Sequence, residues 1–434
     1  MKDRILPGLR SIAGIPAIAT IVLGCASMAA AVTPLPRIAA RSASPAGQFY
    51  NTATGATFTP SGSNYIRLDY LSGKEYHCTF TTGFYDSTQA ENALSFMHSC
   101  GYNVVRVFID PGDGAHQAMG RYGTGGPAST NSATLYGPYL ANFVDFLERA
   151  TRYGIYVIPV LNYVPCNTYY NSLCDIGRPA NITSSNTFYL YAGAVDSKAQ
   201  YVRQFVQSVK AADSGALLPT VFAYELQNEA GCDTVDGPFN LHSGMVSTQD
   251  GMTYDMASPS SRQQCQDSNT NRWISRCVDS IKTVDSQAMV GCSVFTFAAV
   301  GKPGPNGLMP VSGADERYPA RPYWLDRSTL SYIDLHEYPQ GAAWSLSNDL
   351  NSSEFSSIDL TSKPVLQGEF GASRGIYPDS TSAAYAMRDQ ANNTKSRGFA
   401  GHLLWTWDDD TEPFWTMLDN NGAINGVLAP IVGQ

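Results

Sequence analysis

Charge is scarce in this 434-residue chain: Asp, Glu, Lys and Arg together make up 15% of it, with a formal net charge of -9. No cluster of Lys and Arg breaks that pattern, so the electrostatic footprint that phosphate binding needs is missing, and a nucleic-acid partner is not expected. Cysteines at C-x-x-C spacing and a His-x-His pair are missing too, which removes the usual sequence cues for a zinc centre. The strand-like segment ending at Thr82 is followed by a single Gly83, so the Gly-rich first turn of a nucleotide-binding doubly wound sheet is lacking. No composition shift marks a second domain. The expectation is a chain without cofactor or metal, monomeric, with no protein partner and a neutral ligand.

What is present is apolar and aromatic. Hydrophobic residues reach 43%, with 25 Tyr and 6 Trp, enough for a large core. Lys2, Arg4 and Arg10 precede an uncharged apolar run from Ser11 to Ala31 that closes on Ala29-Ala30-Ala31. That order reads as a signal peptide over residues 1–31, and hence a secreted protein. The alternatives are an uncleaved anchor through residues 11–31 or a lipidated Cys25. Without Cys25 eight cysteines remain; an even number in an exported chain favours disulfides, and Cys166 to Cys174 is the pair expected. Residues 32–46 read as a linker, and Gly47 to Tyr65, alternating aromatics with turn formers, as a small hairpin that would plug the bottom of a barrel.

From there strand-like and helix-like stretches alternate. The strands expected are Tyr76 to Thr82, Asn103 to Ile109, Ile155 to Leu161, Thr220 to Glu229, Ala288 to Phe295, Tyr332 to Tyr338, Pro364 to Phe370 and Gly401 to Trp407. The helices expected between them are Ser87 to Ser99, Tyr139 to Tyr153, Asp196 to Ala212, Arg272 to Val284, Asn348 to Leu360 and Ser382 to Ser396. Eight alternating units predict an α/β fold, a (β/α)8 TIM barrel filling residues 47–434, with a long loop insert, Ala230 to Asn271, after the fourth strand. A barrel gathers its functional groups at the carboxyl ends of its strands. Two of those ends carry a glutamate, Glu229 and Glu369. Paired carboxylates facing one bond are what glycoside cleavage needs, one to protonate the leaving oxygen and one to attack the sugar carbon.

The motifs Gly101-Tyr-Asn-Val-Val-Arg106, Tyr224-Glu-Leu-Gln-Asn-Glu229, Asp334-Leu-His-Glu-Tyr-Pro339, Lys363-Pro-Val-Leu-Gln-Gly-Glu-Phe-Gly371 and Leu404-Trp-Thr-Trp-Asp408 stand in that order along the chain. From about residue 47 to about 410 it resembles the retaining glycoside hydrolases of clan A, and within them family 5, the cellulase and β-mannanase family. That resemblance implies Glu229 as acid/base and Glu369 as nucleophile in a retaining hydrolase of β-linked polysaccharide, an endo-β-1,4-mannanase or cellulase. It also implies that Asn228 holds the sugar 2-hydroxyl, that His336 touches substrate, that Tyr338 donates to Glu369, and that Trp405 is the sugar platform. Arg106 is read as orienting the nucleophile, as pairing with a buried acid such as Glu225, or both. Ionised Glu369 should raise the pKa of Glu229 and keep it protonated. Tyr163, Trp324, Trp344 and Trp407 are further aromatic candidates for the cleft. Two residues depart from the family pattern, Ala230 where Pro is usual and Leu161-Asn-Tyr-Val in place of an Asn-Trp ending, and both leave mannan specificity open. An exo-acting β-glycosidase of the same clan and a non-catalytic carbohydrate-binding barrel are the alternatives.

Overall fold

The structure is a computed structural model that describes residues 33–71, 74–297, 300, 316–338 and 358–431. The expected leader, Trp344 and most of the expected helix from Asn348 to Leu360 lie outside the described residues.

Eight parallel strands close into a ring. They are β1 (Ser61–Asn64), β2 (Val104–Phe108), β3 (Tyr156–Val160), β4 (Tyr224–Glu225), β5 in two pieces (Val290–Gly291 and Ser293–Phe295), β6 (Ile333–His336), β7 (Val365–Phe370) and β8 (Gly401–Leu404). The first piece of β5 pairs with β4 and the second with β6, while β8 pairs back onto β1. Every backbone edge is thereby used, as barrel closure requires. Residues of β2, β3 and β7 are buried on both faces, so their near-continuous apolar runs are those of a parallel sheet covered by helices.

The helices α1 (Ser87–Ser99), α2 (Gly137–Arg152), α3 (Ala192–Ala212), α4 (Pro259–Lys282) and α5 (Pro322–Asp326) follow β1 to β5 in turn, and α6 (Ser380–Ser396) follows β7. Their sequences explain their bounds. The Asp86 side chain caps α1 by accepting from the Thr88 and Gln89 amides, and α2 buries Tyr139, Phe143, Phe146, Leu147 and Ala150 at helical spacing. Each phenylalanine so covered contributes about 2–3 kcal/mol of hydrophobic free energy. Gly154 then turns the chain into β3 with φ of 67°, a left-handed conformation that suits glycine.

Three expectations need correction. The first barrel strand is Ser61–Asn64, not Tyr76 to Thr82. The residues Lys74–His77 are indeed extended, but they pair with Leu68–Leu71 in an antiparallel hairpin outside the ring. Ser-Gly-Ser-Asn has little strand propensity and is held by its surroundings; a Cβ on Gly62 would meet the Val104 carbonyl oxygen at 1.6 Å. The stretch read as linker contains a strand, Ile38–Arg41, which joins Gln48–Asn51 and Thr57–Phe58 in a three-stranded sheet. The insert after β4 is not all loop, because α4 begins at Pro259, capped by the Ser258 side chain.

The N-terminal sheet plugs the amino end of the barrel. Phe49 is fully buried there, its ring 5.0 Å from Phe222 and 5.5 Å from Tyr332, both edge to face. Ile38, Tyr156, Leu366 and Leu403 complete the same cluster. The expected Cys166 to Cys174 disulfide is absent, and the eight described cysteines are free thiols. Cys166 precedes the helix Thr168–Asp175 and Cys174 lies in its last turn. Helical rise sets their Cα atoms about 10 Å or more apart, beyond disulfide reach.

Candidate active site

At the opposite, carboxyl end the barrel interior is polar. Arg106 projects inward from the middle of β2 with no exposed surface. Its Nε and Nη2 donate to the two oxygens of Glu225, both at 2.8 Å, a bidentate pair on β4. Nη1 donates to Glu369 Oε1 at 2.5 Å and to Asn64 Oδ1 at 3.0 Å, and Nη2 also donates to Asn228 Oδ1 at 2.7 Å. Arg106 therefore bonds to the buried acid Glu225 and to Glu369 at once. Burial works against its charge, yet Glu225 and Glu369 hold its pKa well above the ordinary value.

Glu369 leaves β7 with Oε1 on Arg106 and Oε2 accepting from the Tyr338 hydroxyl at 2.7 Å. Glu229 follows β4 in the left-handed region, φ 50°, a strained conformation for a residue with a side chain. Its amide donates to Ser293 Oγ at 2.8 Å, and the next amide, of Ala230, donates to the Ser293 carbonyl at 2.8 Å. That second bond gives the departure at Ala230 a local meaning, because proline has no N–H to donate.

His336, buried at the end of β6, joins the two acids: its Nδ1 lies 3.3 Å from Glu229 Oε1 and 3.3 Å from Glu369 Oε2. The donor atoms of Glu229, His336 and Glu369 all lie within 4.8 Å of one another. Two acids distant in sequence thus face each other across a short gap, with one oxygen of each within 4.8 Å of the other. Burial opposes the charge of the His336 ring, but Glu369 and Glu229 raise its pKa. Asp334, beneath it on β6, is pushed up to about 7 by burial and the charge of Glu225.

One electrostatic expectation is reversed. Burial would raise the pKa of Glu229, but His336 and Arg317 hold its carboxyl below the usual range. Arg317 donates through Nη1 to Glu229 Oε2 at 2.7 Å. It lies on the strand Arg317–Pro319, which pairs antiparallel with Gly231–Asp233 in the segment following β4.

Asn228 turns its Oδ1 to Arg106, and its amide nitrogen donates to Asn162 Oδ1 at 2.7 Å, so the side-chain NH2 is the group left for the cleft. Trp405, at the end of β8, packs with Ile66, Phe108 and Val160 and is joined by Phe414 and by Tyr338, the residue that donates to Glu369. Tyr163 is 45% exposed and lines a cavity of about 160 Å3 with Phe188, Asn162, Asn228, Glu229 and Arg317. Trp407 is core, buried edge to face against Phe96 and Tyr102. Trp324 lies on α5 and belongs to neither the carboxylate cluster nor this cavity.

Glu225, Asp334 and His336 also bring donor atoms within 4.8 Å of one another. Three of these carboxylates are already served by guanidinium cations, Arg106 on Glu225 and Glu369 and Arg317 on Glu229. A metal ion would have to sit against those charges, so the arrangement suits proton transfer and covalent attack better than ion binding.

Sequence reasoning missed Asn64, Ser293 and Arg317. Asn64 followed from misplacing β1. Ser293 was inside a correctly expected strand, where alternation could have pointed it inward. Arg317 carries no local signal, since only pairing between two distant segments brings it to Glu229.

No protein-family model matches the chain, and no curated protein matches it. Solved structures do. The endo-1,4-β-mannanase from Rhizomucor miehei superposes with a TM-score of 0.55 at 18% identity, covering 91% of this chain and 99% of that one. The β-1,4-D-mannanase from Cryptopygus antarcticus gives 0.53 at 16% identity over 92% and 95% of the two chains. The hyperthermostable endo-1,4-β-D-mannanase from Thermotoga petrophila gives 0.56 at 16% identity over 85% and 98%. At such identities the likeness is one of fold.

Proposed function

We propose that this chain is a retaining glycoside hydrolase acting on β-linked polysaccharide, with β-1,4-mannan the first substrate to offer it. One observation carries the reading: one carboxylate oxygen of Glu229 and one of Glu369 lie within 4.8 Å of each other, and both acids reach the same nitrogen of His336. Retention uses carboxyl groups about 5–5.5 Å apart, whereas inversion needs about 6.5–9.5 Å to admit a water.

In the first step Glu369 attacks the anomeric carbon while Glu229 gives its proton to the departing glycosidic oxygen. Arg106 and Tyr338 hold Glu369 in line with their hydrogen bonds, so the attacking oxygen is oriented before substrate arrives. In the second step Glu229, now a base, takes a proton from water, which displaces Glu369 from the glycosyl ester. In this reading the Asn228 NH2 donates to the 2-hydroxyl, and the cavity beside Glu229 receives the leaving sugar. Mannan is favoured because the structures that share the fold are β-1,4-mannanases. Export belongs to the proposal as well, and rests on residues 1–31 alone.

Release of reducing ends from mannan, cellulose and mixed-linkage glucan tests the reading. Cleavage of mannan that is lost in Glu369→Gln supports it; a folded protein inert on all three contradicts it. Internal cuts yielding mixed oligomers mark endo action, and single-sugar release marks the exo alternative.

A further inference from the structure

Both oxygens of Glu229 are occupied. Oε1 faces His336, and Oε2 accepts from Arg317. An acid that delivers a proton to a glycosidic oxygen must first be free to carry one, so one of these contacts has to open.

We propose that Arg317 is a positioning residue that holds Glu229 ionised in the free enzyme and thereby sets the upper pH limit of kcat/KM. This rests on the reading of Glu229 as the acid/base.

Three features single out Arg317 rather than His336. The His336 side chain has no exposed surface, whereas that of Arg317 is 48% exposed and that of Glu229 20%. A half-exposed arginine on a flexible stem can swing aside, and a buried ring cannot. The guanidinium also lies over the Phe295 ring at 4.6 Å, a contact that shelves it beside Oε2 without burying it. Finally, Arg317 and Glu229 line the same cavity, so a sugar entering there meets the ion pair directly.

Among the described residues, the other charged or titratable groups around Glu229 are His336 and Tyr338 at β6, Glu369 at β7, Tyr163 after β3, Asp233 in the insert, and Arg106 beneath Asn228. His336 and Glu369 act on Glu229 with opposite signs. Removing Arg317 leaves those two opposed, and the proton on Glu229 becomes easier to keep. The acid must be protonated in the free enzyme for kcat/KM, so the alkaline limb of that profile follows its titration. Arg317 therefore confines activity to lower pH than the carboxylate pair alone would.

The test is a 13C titration of the Glu229 carboxyl in the full-length protein, assigned by its loss in Glu229→Gln, and it needs no substrate. In Arg317→Ala the midpoint should rise by about one pH unit; Arg317→Lys, which restores a cation, should fall between that value and wild type. An unmoved midpoint in Arg317→Ala overturns the proposal. In parallel, the alkaline limb of kcat/KM should move up by the same amount in Arg317→Ala, and an active wild type with an unmoved limb also overturns it. Inactivity of the wild type on every β-glycan would instead sink the functional reading, and the carboxyl titration would still decide the role of Arg317.

Discussion

At the amino end of the barrel Phe49, Phe222 and Tyr332 meet edge to face within a hydrophobic cluster. At the carboxyl end Arg106 alone serves Glu225, Glu369, Asn64 and Asn228, and His336 lies between two acids. One fold thus separates its tasks. The plug gains stability from area removed from water, which is tolerant of direction, whereas the other end places buried charges whose desolvation is repaid only while every partner is present. Loss of a single side chain should therefore read out differently at the two ends.

The largest effect expected is catalytic and confined to the carboxyl end. Glu369→Ala should lower kcat by about 10^4-fold or more, and Glu229→Ala by about 10^2 to 10^4-fold. Azide sharpens the assignment: it should rescue Glu369→Ala to a glycosyl azide of inverted configuration and Glu229→Ala to one of retained configuration. Crossed results would exchange the two roles. Next comes Arg106→Ala, which strands Glu225 without its cation and should cost about 3–5 kcal/mol of stability in denaturant melts together with most activity. Phe49→Ala should cost a similar 3–5 kcal/mol while kcat on remaining folded protein is unchanged. A loss of kcat there would show that the two ends are coupled.

The smallest effect concerns pH. Burial lowers the pKa of His402, on β8 beside the plug, from 6.5 to about 4. The folded state then binds fewer protons than the unfolded chain between those values, so stability falls as pH drops from about 6.5 toward 4. His402→Gln should flatten that part of the melting-temperature profile. An unchanged slope would exclude His402 as its source; Glu229, held below the usual carboxylate range, loses its stabilising ion pairs only at lower pH, as pH falls through that pKa.

The same contrast explains what the sequence disclosed. Strands β2 to β8 were legible because their buried positions are rich in apolar residues, and Glu229 and Glu369 stood out as carboxylates at or near the ends of such segments. β1 was not legible. Ser61-Gly-Ser-Asn64 is extended only because Val104 and Leu403 crowd Gly62, while Tyr76, a better strand former, pairs locally in a hairpin. Long-range pairing also hid Arg317, fixed beside Glu229 through the register of Gly231 with Pro319. The cysteine count suggested a bridge that helix geometry forbids. Local pattern therefore reported the elements, and only tertiary contacts reported the groups that tune the acid.

The central claim is that Glu229 and Glu369 act by double displacement, and the anomeric configuration of the first product tests it most directly. Proton NMR of a β-linked oligosaccharide during cleavage should show the β-anomer accumulating first, with the α-anomer rising later by mutarotation. An α-anomer formed first would contradict the account, because it would require a water between two carboxylates whose oxygens lie within 4.8 Å.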